Sequence, residues 1–167
     1  MKTTKNLKTT TLVGKSFLVC LFSLILLLSF NSASAVQKIA SASGNWSNTA
    51  TWGGAAVPTS TDSVKINSGV TLTIDVSNAT CAYIQINNGN STAVLTFATS
   101  GSPKLTVSGA IIVGEVGNTN REGKITFTNG STLIAGSLSL GAIAAQASLI
   151  DMTAGGLLKL NGALTVF

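Results

Sequence analysis

Residues 105–113 read LTVSGAIIV, residues 132–140 read TLIAGSLSL and residues 158–166 read LKLNGALTV. Each stretch is built around a glycine, and Gly109, Gly136 and Gly162 are 27 and 26 residues apart. Two and four residues after each glycine stands an apolar pair: Ile111 and Val113, Leu138 and Leu140, Leu164 and Val166. Two residues before stand Val107, Ile134 and Leu160; four before stand Leu105, Thr132 and Leu158, with one polar member. Alternation of this kind marks β-strands, and its return at a fixed period marks a repeat.

Working outward, each block is preceded by another short strand with its own turn glycine. These are Leu95-Thr96-Phe97 before Gly101, Ile125-Thr126-Phe127 before Gly130, and Ile150-Asp151-Met152 before Gly155. A strand–glycine–strand unit of this length cannot bury its apolar side alone, whereas stacked copies share a continuous interior and parallel ladders about 4.8 Å apart. The expected fold is therefore all-β, a right-handed parallel β-helix over residues 63–167 preceded by a capping segment over 36–62. An antiparallel β-sandwich is the alternative, since it too shows short strands and frequent turns. The repeat glycines are expected to turn the chain between faces with positive φ. Trp46 and Trp52 precede the first coils and are placed to plug their end. The apolar terminus Leu164–Phe167 reads as an unprotected edge, so the chain is expected to be part of a longer protein.

Residues 1–35 have the three parts of an export signal. A lysine-bearing start, Met1–Lys15, leads into the apolar run Phe17–Phe30 and then Asn31-Ser32-Ala33-Ser34-Ala35. Ala33 and Ala35 are the small residues a signal peptidase requires, so cleavage is expected after Ala35. The apolar run is about 14 residues, shorter than the roughly 20 a spanning helix needs. Four of the ten cations, Lys2, Lys5, Lys8 and Lys15, leave with the leader. The mature chain keeps six against five acids, a net charge of +1, which offers no electrostatic footprint for nucleic acid. Cys81 is then the one remaining cysteine, and no intramolecular disulfide is expected.

The stretch from Trp46 to Asp75 carries a family resemblance. Trp46 and Trp52 lead into Gly53-Gly54, Pro58, Asp62-Ser63-Val64-Lys65-Ile66, Gly69 and a strand ending at Asp75. This resembles the opening of the eight-glycine domain, a β-rich extracellular module. It is also similar to the head segments of secreted surface proteins of the Bacteroidota, cargo of the type IX secretion style, in which a β-helix follows. Thr61 departs from the pattern, where the family usually has a glycine. The resemblance implies a secreted or cell-surface protein with a structural or adhesive role, a fragment of something larger.

The chain has no histidine, which removes Ser-His-Asp, Cys-His and His-based metal chemistry. The five mature acids are scattered, and Asp62 and Asp75 are expected to close turns. No catalytic residue, cofactor or metal is therefore expected. The ligand-binding candidates are Trp46 and Trp52, which could stack on sugar rings, and Asn118, Asn120 and Arg121 on a loop that varies between repeats. Surface glycans or other envelope proteins are the expected partners, with a carbohydrate-binding module as the alternative function.

Overall fold

The computed structural model describes residues 34–86, 89–114, 122–143 and 146–167, which belong to a compact unit, Ser34–Phe167. Short strands follow one another round the axis. The first coils contain β1 (Gln37–Ala40), β2 (Gly44–Asn45), a single 3-10 turn at Thr49–Trp52, β3 (Ser63–Ile66) and β4 (Thr71–Ile74). Next come β5 (Ala79–Cys81), β6 (Tyr83–Ile86), β7 (Ala93–Phe97) and the long β8 (Lys104–Val113). β9 (Gly123–Thr126) and the long β10 (Thr132–Leu140) form the following coil. After a hairpin of β11 (Ala142–Ile143) and β12 (Gln146–Ala147) come β13 (Leu149–Asp151), β14 (Leu157–Leu160) and β15 (Leu164–Val166).

The pairing makes the chain a parallel β-solenoid of about four turns. One eight-stranded sheet runs β1-β3-β6-β8-β10-β14, with β5 on β8 and β15 on β10; a five-stranded sheet runs β2-β4-β7-β9-β13. Every pairing in both sheets is parallel, as the repeat requires and a sandwich forbids. Among the described strands the antiparallel exception is the hairpin β11–β12.

Stacking in register puts like on like. Ile66 lies on Ile86, Ile86 on Val113, Val113 on Leu140 and Leu140 on Val166. A second column runs Val64, Ile84, Ile111, Leu138, Leu164. In the other sheet Leu72, Leu95, Ile125 and Ile150 are stacked. Phe97 and Phe127 stack with ring centroids 5.2 Å apart. The inner members of these columns are buried, apart from the half-buried Leu140, and each buried one contributes about 1.5–3 kcal/mol against the cost of ordering the coil.

The half-coils before the repeat glycines are offset from their expected alignment. Val107 pairs with Ala135 rather than Ile134, and Leu105 with Leu133 rather than Thr132. The register shifts between Ala135 and Ser137, because β10 reaches its glycine with one residue fewer than β8. The polar Thr132 thus leaves the interior column, which becomes wholly aliphatic: Leu105, Leu133, Leu158.

The glycines also divide into two kinds. Gly69, Gly101, Gly130 and Gly155 hold positive φ of 75°, 80°, 77° and 94° and make the turns. Gly109, Gly136 and Gly162 do not have positive φ. They lie one above another, so that a Cβ on Gly136 would stand 2.7 Å from the carbonyl oxygens of Gly109 and Ser108. A Cβ on Gly162 would likewise stand 2.7 Å from Gly136 O. Close approach between coils, not handedness of the backbone, reserves these positions for glycine.

Cys81 lies on Val107 inside the solenoid. Burial, with the nearby Asp62 charge adding to it, pushes its thiol up to about 12. A chromogenic disulfide reagent at pH 8 is expected to leave Cys81 unmodified in the folded protein and to react fully once it is unfolded. Fast modification of the native form would contradict this placement.

Candidate functional site

The first rung is where the candidate residues of the head segment converge. Trp46 continues β2 beside β4, its N–H donating to Thr73 O at 2.8 Å. The 3-10 turn then folds back, started by Asn48, whose side chain accepts from Ala50 N at 3.0 Å. This brings Trp52 edge-on to Trp46, with ring centroids 5.3 Å apart at 81°. Trp52 Nε1 donates to Trp46 O at 2.9 Å. The two side chains are 3% and 4% exposed. A sugar-stacking platform needs an open ring face, and neither indole has one; the pair plugs the end of the core instead.

Asn118, Asn120 and Arg121 lie outside the described residues, as does the leader up to Ala33. These three residues fall in the sequence between β8 and β9. β3 precedes β4, β6 precedes β7, β8 precedes β9 and β10, by way of the hairpin, precedes β13, each a strand of the larger sheet followed by one of the smaller. Glu122, just before β9, accepts from Thr92 Oγ1 at 2.9 Å.

The described acids serve the architecture. Asp62 is 4% exposed. Its Oδ2 accepts from Thr59 N and Thr59 Oγ1, both at 2.8 Å, and its Oδ1 accepts from Val36 N at 3.0 Å. Burial opposes its ionisation, but the bonds from Thr59 and Val36, together with the Lys38 charge, outweigh it and hold the carboxyl below its usual value. Its contribution to stability is therefore present above the ordinary carboxylate range and is lost as acid protonates it. Asp75 clips one coil to the next, accepting from Ser47 N at 3.0 Å and from Ser47 Oγ. Asp151 accepts from Thr153 N and Oγ1 and lies 3.2 Å from Lys124 Nζ. The Thr153 donors and Lys124 hold it down at about 2. Uncharged side chains clip neighbouring coils too: Thr128 Oγ1 donates to Ala98 O and Ser68 Oγ to Ser91 O, both at 2.9 Å.

Among the described residues no group of three or more Cys, Asp or Glu is gathered as a metal would need. No helix there is long and apolar enough to cross a membrane. The concavity at the first rung is an open trough of about 480 Å³ bordered by Val36, Lys38, Ile39 and Trp52.

A family model, that of the G8 domain, matches residues 51–166. The chain belongs to this family. The match begins within the 3-10 turn and ends in β15, so the G8 domain here is the solenoid itself. The resemblance visible between Trp46 and Asp75 marks only its opening. G8 domains are found in extracellular proteins. Comparison with curated proteins and with solved structures finds no match. The feature of the first rung that sequence reasoning missed is the link between Val36 and Asp62. Its signal is faint, a single aspartate one coil after an apolar residue.

Proposed function

We propose that this G8 domain is a non-catalytic secreted module, a rigid spacer and contact element within a larger cell-envelope protein, exported by the leader that ends at Ala35. The observation that carries the reading is the use of the interior. Stacked aliphatic and aromatic side chains fill it, and Asp62, Asp75, Glu122 and Asp151 are each held in turns or between coils. What remains for recognition is the outer surface, rich in Ser, Thr and Asn, which suits contacts with other envelope components. With both indoles inside, stacking of a sugar on Trp46 and Trp52 has no support among the described residues.

The test exposes whole cells bearing the protein to antibody before and after permeabilisation, and incubates the purified chain with a panel of polysaccharides. Labelling without permeabilisation and no new reducing ends or unsaturated sugars are expected. Labelling only after permeabilisation would overturn the location, and sugar release would overturn the non-catalytic role.

A further inference from the structure

The hydrogen bond that closes the first rung involves an atom that processing would change. Val36 N lies 3.0 Å from Asp62 Oδ1, and Val36 follows Ala35, the last residue of the leader as read from the sequence. In the uncut chain this nitrogen is a neutral amide with one proton. Hydrolysis of the Ala35–Val36 bond consumes one water and is catalysed by the export signal peptidase. It leaves a carboxylate on Ala35 and a primary amine on Val36, and an α-amine with its ordinary pKa near 8 is protonated at pH 6.5. We infer that leader removal turns the Val36–Asp62 hydrogen bond into an ion pair that locks the first rung, so that the mature chain is more stable than the uncut one. The inference rests on the export reading above.

The geometry needs no rearrangement. Thr59 occupies Asp62 Oδ2 with two donors, leaving Oδ1 for Val36. The Val36 carbonyl accepts from Ser63 N at 3.0 Å, so the residue is held on both sides of its α-carbon. Ser34 and Ala35 are exposed, and their removal takes nothing from the core. The carboxylate is buried; its bond to the uncut amide is already charge-assisted, and cleavage adds the attraction of a full opposite charge at the same atom. Lys38 is the other cation that acts on Asp62, and it is the same before and after cleavage.

Two chains test the inference, 36–167 and 34–167. Both carry a free α-amine and the same net charge, and differ in whether that amine sits at Asp62 or two residues beyond it. At pH 6.5 and low salt, 36–167 is expected to melt higher by about 4 °C. Asp62→Asn keeps an acceptor but removes its charge, and is expected to abolish the difference. If that variant does not fold, selective Nα-acetylation of 36–167 supplies the same readout and should lower its melting temperature to that of 34–167. Equal melting temperatures for the two unmodified chains would overturn the ion pair. N-terminal sequencing of the exported protein separates this from the export reading: Val36 as first residue supports the link to processing, and any other first residue overturns it together with the cleavage site.

Discussion

Replacing Phe127 with alanine is expected to lower the unfolding free energy by about 3–5 kcal/mol, read as a fall in the urea midpoint at unchanged slope. Phe127 is among the largest fully buried side chains and stacks on Phe97 of the preceding coil. Truncation removes that ring contact and leaves a hole that the fixed spacing of the coils prevents from closing. Phe127→Leu keeps much of the volume and should cost well under half as much. A loss below about 1 kcal/mol for the alanine variant would mean that the coils above and below can move together, contrary to a rigid stack.

Gly136→Ala is expected to be nearly as damaging, although it adds a single methyl group. Its Cβ would press on the carbonyl oxygens of Gly109 and Ser108 at 2.7 Å. Both are backbone atoms in paired strands, so relief requires two coils to separate. A cost of about 2–3 kcal/mol is expected by analogy with overpacked cores. Gly130→Ala provides the contrast: no atom lies within 4 Å of the added Cβ, and only its positive φ of 77° opposes the change. About 1 kcal/mol is expected there. Equal losses at the two sites would mean that backbone conformation, rather than contact between coils, governs both.

The second half of each repeat was legible because alternation and spacing coincide there. Ile111, Leu138 and Leu164 pair as their positions after the glycines require, and so do Val113, Leu140 and Val166. The first half was misaligned by one residue in β10. Ile134 looks like a core residue and Ala135 does not, yet Ala135 is buried and Ile134 is partly exposed. Counting from the glycine assumes an unbroken two-residue period, and the shift at Ala135 to Ser137 breaks it. Small residues carry little hydrophobic signal, so the break is invisible in the sequence.

The end-plug was legible as chemistry: two tryptophans ahead of the first coil need somewhere dry to lie, and a carbonyl for any buried indole N–H. The role of Asp62 was half legible. A short polar side chain at a strand start signals local donors, and Thr59 supplies them. The donor from Val36 arrives only when a whole coil has closed, which no local pattern reports.

One further consequence follows from the connections between stacked strands. Spacing between stacked partners changes from coil to coil, from 20 residues between Ile66 and Ile86 to 27 between Ile86 and Val113, while the columns stay in line. Growth of the chain between strands, on either side of the coil, leaves the interior undisturbed, whereas one added residue within a strand would turn its side chains inside out. Length changes are thereby confined to the connections between strands, where new surfaces can be elaborated without renegotiating the fold.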